Sequence, residues 1–354
     1  MYKYLLGWFA VAFFSYSCSD ESPDISVVCE ENSVGNCIVK WETTPAIEGK
    51  VKIYVSTNPD HICENDPVAT ADISDQRIIV VTSDPTQRYY YKMVFNNRYR
   101  VTTASRNTNI PGIQNFRDIG GYAAAKGKQV RWGKLYRSAE FGHLPCSSYK
   151  ELKNIGIKTI VDLRNPSEVV NDISGELENE GFRVVRIPIN ILNTKELIGE
   201  LRKGRVRNDS INRLVMRLNR DLVTYYRAEY KEMFDVLLEK KNYPVLIHCT
   251  SGKGRTAIAS ALILAALGVN NDQVLQDYRS SNDYFDIPKF SNFAYGLPSY
   301  SQEAITTLFS AREGFLNAAK YQIEKSYGDM PTFLKRGLGL TSDDIDDLKG
   351  ILLR

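Results

Sequence analysis

The sequence predicts a small all-β sandwich followed by an α/β domain whose central sheet is mostly parallel and covered by helices on both faces. Residues 25–104 alternate apolar and polar side chains with a period of two, which is typical of half-buried strands. From residue 109 onwards, short apolar runs alternate with stretches of helical periodicity, as they do in folds with parallel strands. Within that region, residues 244–268 pass from an apolar run through a glycine-containing loop into an apolar helix.

Composition and charge are those of an ordinary globular protein. The chain has 354 residues, of which 43% are hydrophobic and 25% are charged. This length accommodates two domains of roughly 150 residues each. The formal net charge is +3, so charge gives no argument for binding nucleic acid or an anionic membrane surface.

The first residues predict export. Residues 4–14 form an apolar run that follows a lysine and is short for a membrane span, so residues 1–17 are predicted to be a signal peptide. Cys18 and the acidic tether that it begins, residues 18–24, resemble a bacterial lipoprotein processing site, although Ser15 stands where that motif has an aliphatic residue. The resemblance implies a lipid anchor on Cys18 in the bacterial cell envelope, at the periplasmic or outer face. The alternative is an ordinary cleaved signal with a cysteine nearby.

The sandwich is predicted for residues 25–104. Three runs place alternate residues on one strand face: Cys37, Val39 and Trp41; Val51, Ile53 and Val55; Tyr89, Tyr91, Met93 and Phe95. Clusters of turn-forming residues separate the runs and no helical stretch intervenes, so about six short strands of immunoglobulin or fibronectin type are predicted. No catalytic or metal-binding spacing occurs in this unit, which predicts a spacer or docking role. Residues 105–111 are the predicted linker.

The cysteines outside the anchor motif predict one disulfide. Cys29, Cys37 and Cys63 all lie in the sandwich, and an exported protein can form disulfides. One bridge among these three is predicted, and the sequence leaves the pairing open. Cys146 lies in the second unit. A thiol left without a partner is expected to be buried and without function.

The second unit covers residues 109–354. Strands are predicted at 130–131, 134–136, 159–163, 184–189 and 245–247, and helices at 147–154, between 190 and 240, at 257–267 and from 302 to the end, with Thr341 or Ser342 capping the last helix. Ligands of such sheets bind beyond the carboxyl ends of the strands. Asp162 and Cys249 are both expected at such ends.

Residues 195–220 are rich in basic side chains, namely Arg202, Lys203, Arg205, Arg207, Arg213, Arg217 and Arg220. One interpretation is a basic lid that attracts an anionic substrate to the site. The other is a solvated helix face, since such charge runs are common on protein surfaces.

The loop that follows the strand at 245–247 has the composition of an anion-binding site around a nucleophile. A loop that leads into a helix N-terminus points backbone N–H groups at one spot, and the helix dipole adds positive charge there. Gly252 and Gly254 allow the tight curl, and Arg255 has a planar pair of donors that matches two phosphate oxygens. The same donors favour the thiolate of Cys249, a nucleophile for phosphorus. The predicted substrate-binding residues are Thr250, Ser251, Gly252, Lys253, Gly254 and Thr256.

The pattern His-Cys-x5-Arg-Thr at residues 248–256 resembles the signature of the cysteine-dependent protein tyrosine and dual-specificity phosphatases. More narrowly, the chain from about residue 109 resembles the bacterial tyrosine/serine phosphatase family with lipid-phosphatase-like loops. The matching segments are residues 115–122, 135–138, 161–164 with Glu168, 277–278, 281–282, 327–328, 338–340 and Leu348. The resemblance implies hydrolysis of phosphotyrosine, and of phosphoserine or phosphothreonine, in proteins. It also implies a cysteinyl-phosphate intermediate and no metal or other cofactor.

Two other functions stay open at this point: a phosphoinositide phosphatase, and an attenuated phosphate-binding or scaffold protein. Gly254 stands where the narrower family usually has an aspartate, so that the loop resembles that of eukaryotic phosphoinositide 3-phosphatases. This difference implies a roomier and more positive cradle for the phosphate. The oligomeric state is not predicted.

The reaction also requires an acid for the leaving oxygen. Many relatives have an aspartate on the loop that follows the strand at 184–189, whereas residues 188–193 contain no carboxylate. Asp162, in the Asp-Leu-Arg motif of the family, is therefore the predicted acid. The alternative is a structural aspartate bonded to Arg164 or to the loop.

The remaining motif residues are expected to support the loop. Thr256 is predicted either to hydrogen-bond the thiolate or to start the helix, and His248 is predicted to orient the loop through hydrogen bonds. Most of the following residues are expected to form buried ion pairs that hold the loop: Arg117, Asp118, Arg137 and Arg164.

Overall fold

The structure is a computed structural model that describes residues 22–354 except 33–34, 83, 85–86, 143, 170–171, 192–193, 204–205 and 287–291. The predicted signal peptide, Cys18 and most of the acidic tether lie outside the described residues, as does Arg205 of the basic segment. Within the described part of the chain, no helix is long and apolar enough to cross a bilayer.

The N-terminal unit has two antiparallel sheets. The first has the order β1 (Asp24–Glu31), β2 (Cys37–Thr44), β5 (Arg77–Val80), and the second has the order β4 (Ala69–Asp72), β3 (Lys50–Ser56), β6 (Tyr90–Phe95), β7 (Tyr99–Ala104). The faces predicted to be apolar are buried and meet in one core, where the rings of Trp41 and Phe95 lie edge to face at 6.3 Å. The period-two pattern therefore identified the inward faces correctly.

A disulfide joins Cys29 of β1 to Cys37 of β2, which resolves the pairing that the sequence left open. Cys63 and Cys146 are free and exposed, so the expectation that an unpaired thiol is buried was wrong. Cys63 lies in the loop between β3 and β4, and Cys146 begins a surface helix. Neither residue belongs to an apolar periodic pattern, so nothing requires its burial.

The second unit is built on a five-stranded sheet. Its strands are β8 (Arg117–Asp118), β9 (Leu135–Ser138), β10 (Thr159–Asp162), β11 (Arg183–Arg186) and β12 (Val245–His248), in the order β11-β10-β12-β9-β8. All neighbours are parallel except β8, which pairs antiparallel with β9 at one edge. The mostly parallel sheet is confirmed. Two details differ: Val130 forms only an isolated bridge with Leu353, and β11 ends at Arg186.

Helices cover both faces of this sheet. They are α1 (Cys146–Asn154), α2 (Ser174–Asn179), α3 (Thr194–Arg202), α4 (Asn208–Tyr225), α5 (Arg227–Leu238), α6 (Arg255–Ala266), α7 (Asn271–Arg279), α8 (Ser281–Tyr284), α9 (Ser299–Phe309), α10 (Glu313–Tyr327), α11 (Met330–Thr332), which continues into a π-helical turn (Phe333–Gly337), and α12 (Ser342–Leu352). Leu152 of α1 packs with Ile160 and Leu246 on one face of the sheet. Leu262 of α6 packs with Val161 and Ile247 on the other. Alternate residues of each strand thus contribute to two different cores.

The two units meet in a polar and aromatic junction. Arg88, just before β6, forms a buried ion pair with Asp118 at 2.8 Å and donates a hydrogen bond to the hydroxyl of Tyr136. The indole Nε1 of Trp132 donates to the carbonyl oxygen of Thr102 at 3.1 Å. Because these contacts are directional and buried, they fix the orientation of the sandwich on the second unit.

Candidate active site

The sheet brings the predicted nucleophile to the centre of one edge. Strand β12 lies between β10 and β9, ends at His248, and is followed by Cys249. Helix α6 begins at Arg255, so the intervening residues form a loop between a strand end and a helix N-terminus, as predicted. Cys249 is 1% exposed and lies at the base of this loop.

The loop turns its carbonyl groups outward. The oxygen of Thr250 accepts from the backbone N–H of Glu140 at 3.1 Å, and that of Ser251 accepts from Nδ2 of Asn115 at 3.0 Å. The oxygen of Gly252 accepts from Nη2 of Arg137 at 2.7 Å. In contrast, the backbone N–H groups of residues 250–254 make no hydrogen bond within the described part of the chain. Gly252 and Lys253 are buried and the other three residues are half-buried. Because N–H groups without partners are rare at such positions in native structures, this loop is arranged to receive an anion.

Gly252 makes the curl of the loop possible. Its φ is +65°, a conformation that side chains disfavour, and a Cβ at this position would lie 2.3 Å from the carbonyl oxygen of Ser138. The backbone after β9 therefore lies directly against the loop. Gly254 has no neighbour within 4 Å of an added Cβ, so space alone does not require glycine there.

Arg255 is held in place by Glu168, a residue of the family motif whose role the sequence does not predict. Glu168 ends a short 3-10 helix (Pro166–Glu168), and its two carboxylate oxygens accept hydrogen bonds from Nη1 and Nη2 of Arg255. Nη2 also donates to Oγ1 of Thr250 at 3.1 Å. Both side chains of the pair are 8% exposed. This fork-to-fork pair fixes the guanidinium plane beside Cys249.

A second ion-pair cluster supports the loop from the other side. Asp277 of α7 bridges Arg117 and Arg137, and all three side chains are at most 2% exposed. Burial by itself raises the pKa of Asp277, but Arg137 and Arg117 outweigh it and lower the pKa to about 2. Since Arg137 donates to the loop, the prediction that buried ion pairs hold the loop is confirmed for Arg137, while Arg117 shares its counter-ion Asp277 without contacting the loop.

Asp162 lies at the predicted strand end and is bonded to Arg164. Its carboxylate accepts from the backbone N–H of Arg164 at 2.9 Å and from Nη2 at 2.7 Å, and its side chain is 4% exposed. Burial raises the pKa of Asp162, but the charge of His248 and the hydrogen bonds and charge of Arg164 outweigh it, and the net shift is downward. The hydrogen bonds with Arg164 are the contacts expected if Asp162 has a structural role and is bonded to Arg164. The acid role of Asp162 stays a prediction that its surroundings do not favour.

Three further residues in and beside the loop, Lys253, Thr256 and His248, have contacts that bear differently on their predicted roles. Nζ of Lys253 donates to the carbonyl oxygen of Leu308 at the end of α9, and burial lowers the pKa of Lys253 to about 7. Oγ1 of Thr256 is buried and has no partner, Cys249 included, among the described residues. The ring of His248 stacks on Phe141, and burial lowers the pKa of His248 to about 4, so it is neutral at pH 7.

The basic segment contributes exposed charge. Arg213 and Arg217 lie on the exposed face of α4, whose other face packs against α9 and α10 through residues such as Ile211 and Val215. This placement is compatible with both interpretations, the lid and the solvated face. Among the described residues, no group of three or more His, Cys, Asp or Glu side chains is arranged to hold a metal ion.

The chain is similar in sequence to known tyrosine phosphatases. A sequence model of the tyrosine phosphatase family matches residues 108–354. A protein of Cupriavidus necator named as a tyrosine-protein phosphatase is 29% identical over 243 residues, which are 67% of this chain and 85% of that protein. The triple specificity protein phosphatase PtpB of Mycobacterium tuberculosis is 26% identical over 278 residues, which are 69% of this chain and 98% of that protein.

Among solved structures, the catalytic core of Siw14 is similar to 62% of this chain and to 96% of its own chain, at 15% identity. The TM-score of this match is 0.30.

Proposed function

We propose that this chain, which belongs to the tyrosine phosphatase family, hydrolyses phosphate monoesters of proteins through Cys249, with phosphotyrosine as its main substrate. One observation carries the proposal: the row of unpartnered backbone N–H groups at residues 250–254, beside the sulfur and the guanidinium of Arg255. That arrangement suits a dianionic phosphoryl group and a nucleophile directed at its phosphorus.

The reaction proceeds in two displacements. The Cys249 thiolate attacks phosphorus, the bond to the ester oxygen breaks, and a proton is delivered to the departing oxygen. Water then attacks the cysteinyl-phosphate, its proton goes to a base, and phosphate and the thiolate are released. The loop N–H groups and Arg255 stabilise the charge on the equatorial oxygens in both steps, while Glu168 keeps Arg255 aligned.

A substrate panel tests this proposal. The wild-type protein is expected to release phosphate from a phosphotyrosine peptide, with slower release from a phosphoserine peptide, whose alkoxide is the poorer leaving group. Phosphate release from each peptide and from a soluble phosphoinositide is measured at matched concentrations. If the protein hydrolysed none of the three substrates, the proposed function would be wrong.

The second candidate substrate is a phosphoinositide. Gly254 favours it because the space around this residue is open and the loop has no carboxylate there. The triple specificity in the name of the M. tuberculosis relative also supports testing more than one substrate class.

Changing Gly254 to aspartate is therefore expected to lower phosphoinositide hydrolysis about tenfold more than phosphotyrosine hydrolysis, because a carboxylate repels the additional phosphates. The comparison of kcat/KM for the two substrates measures this effect. Gly175→Asp is the matched control, since an added Cβ there also meets nothing within 4 Å. Equal losses on both substrates would argue against this candidate.

Export and a lipid anchor on Cys18 are part of the proposal. They are supported by the sequence of residues 1–24, most of which lie outside the described residues. Cys18→Ser is expected to move the protein from the membrane fraction to the soluble fraction of expressing cells and to abolish labelling by a fatty-acid analogue. Cys63→Ser is the control, and unchanged labelling of the Cys18 variant would exclude the anchor.

For the N-terminal unit, a spacer or docking role of a fibronectin-like module is proposed. The strand orders β1-β2-β5 and β4-β3-β6-β7 support this assignment. The fixed junction through Arg88 supports a spacer that holds the catalytic unit in one orientation.

A further inference from the structure

The reaction requires a proton donor for the leaving oxygen. Among the described residues, the carboxylates of Asp162, Glu168 and Glu140 lie on the side of the loop where Arg164 and Arg255 are bound, whereas Asp277 on the other side is bound by Arg117 and Arg137. Asp162 and Glu168 are each bound by two or more hydrogen bonds from an arginine, and their side chains are 4% and 8% exposed. Both are therefore committed to holding Arg164 and Arg255. Glu140 is the third carboxylate, and its surroundings differ.

Glu140 lies beside the nucleophile loop on the segment that follows β9. Its backbone N–H donates to the carbonyl oxygen of Thr250, the residue next to Cys249, at 3.1 Å. Two residues earlier, the backbone of Ser138 lies against Gly252. Because β9 and β12 are parallel neighbours, this segment leaves the sheet at the same edge as the loop, where ligands of such sheets bind.

The carboxylate of Glu140 is the most open of the three. In the described part of the chain it accepts one hydrogen bond, from Nη1 of Arg164 at 3.1 Å, and its side chain is 28% exposed. One oxygen therefore remains for another partner. The leaving group of a protein substrate must depart towards solvent, so a partly exposed group at the rim is better placed than a buried one to meet it.

Some of the charges around Glu140 raise its pKa and others lower it. Burial raises its pKa, and the nearby carboxylates of Glu168 and Asp162 raise it further, while Arg164 lowers it. The net shift is upward, opposite to the shifts of Asp162 and Glu168. Glu140 thus keeps its proton to higher pH than an ordinary glutamate, as a general acid requires.

We propose that Glu140 is the general acid of the first displacement and the general base of the second. Protonated Glu140 gives its proton to the ester oxygen as the bond from that oxygen to phosphorus breaks and the bond from sulfur to phosphorus forms. The resulting carboxylate then takes a proton from the water that attacks the cysteinyl-phosphate, which restores the acid and frees the thiolate. This role rests on the proposed function and replaces the loop aspartate that the chain lacks.

Glu140→Gln tests the role because glutamine keeps the acceptor for Arg164 and removes the proton. We expect kcat/KM for a phosphoserine peptide to fall about 100-fold or more. For p-nitrophenyl phosphate, whose leaving group needs little protonation, we expect kcat/KM to fall only a few-fold. The alkaline decline of kcat/KM for the phosphoserine peptide should disappear. A burst of p-nitrophenol should precede steady turnover, because the intermediate accumulates without its base.

Asp162→Asn is measured in parallel, and Glu180→Gln, which alters an exposed ion pair with Lys153, is the matched control. Loss of the alkaline decline in Asp162→Asn, with its retention in Glu140→Gln, would overturn the proposal and assign the acid to Asp162. Equal losses on both substrates in Glu140→Gln would also overturn it. Failure of the proposed function itself would appear differently, as wild-type protein without activity or as activity that survives removal of the Cys249 thiol.

Discussion

Changing Cys249 to serine is expected to lower the hydrolysis of an aryl phosphate by about 10⁴-fold or more, because the hydroxyl is a far weaker nucleophile than a thiolate. The measurement is initial-rate release of p-nitrophenol from p-nitrophenyl phosphate. Binding of phosphate should persist, since the N–H groups of residues 250–254 and the side chain of Arg255 are unchanged.

Cys146→Ser is the matched control, because Cys146 is an exposed free thiol on α1, and it should keep wild-type activity. If Cys249→Ser hydrolysed the ester as fast as the wild type, the proposed enzyme activity would be wrong. Phosphate binding without turnover in the wild type would instead favour the attenuated binding or scaffold protein.

Changing Asp277 to alanine is expected to destabilise the protein by about 3–5 kcal/mol, because it leaves the buried guanidinium groups of Arg117 and Arg137 without their shared counter-ion. Activity should fall as well, since Arg137 would no longer hold the carbonyl group of Gly252. The free energy of unfolding is measured by urea denaturation. Asp346→Ala removes a largely exposed partner of Lys349 and should leave stability nearly unchanged.

The contribution of Asp277 should also depend on pH with a defined sign. Its pKa is lowered to about 2 in the folded protein, against about 3.9 for an unperturbed aspartate. A lowered pKa means that the stabilisation is fully present above about pH 4 and is lost as the pH falls towards 2. The stability difference between wild type and Asp277→Ala should therefore shrink over that range. A difference independent of pH would contradict the ion-pair explanation.

The nucleophile loop was predictable because its parts are contiguous. A strand, a loop with two glycines, and an arginine at a helix start occur within residues 245–255, so local geometry alone brings Cys249, the backbone N–H groups and Arg255 together. The same holds for the sandwich strands, where alternation along one segment identifies the buried face of Trp41 and Met93. Cys63 lies in a loop and Cys146 at the first position of a helix, where no apolar periodicity applies, so their exposure was not predicted.

The supporting residues could not be assigned in the same way. Glu168 contacts Thr250 across 82 positions of the chain, Asn115 contacts Gly252 across 137, and Arg117 contacts Asp277 across 160. The resemblance to a family identified these residues as part of the motifs of that family. Their spacing in the sequence does not predict which of them are in contact. These pairs form only in the folded chain, where the sheet and helix α7 bring the edge strand β8, the segment after β10 and the nucleophile loop together.

The identity of the general acid illustrates most clearly what the sequence determines and what only the tertiary structure decides. The sequence motif was enough to locate the chemistry at Cys249. It also showed that residues 188–193 contain no carboxylate and that Gly254 stands where the resembling family usually has an aspartate. Which remaining acid is held ionised by arginines, as Asp162 and Glu168 are, and which keeps a free oxygen at the rim, as Glu140 does, depended on burial and on neighbours from other strands. Protonation is governed by the electrostatic environment in three dimensions, and folding alone creates that environment.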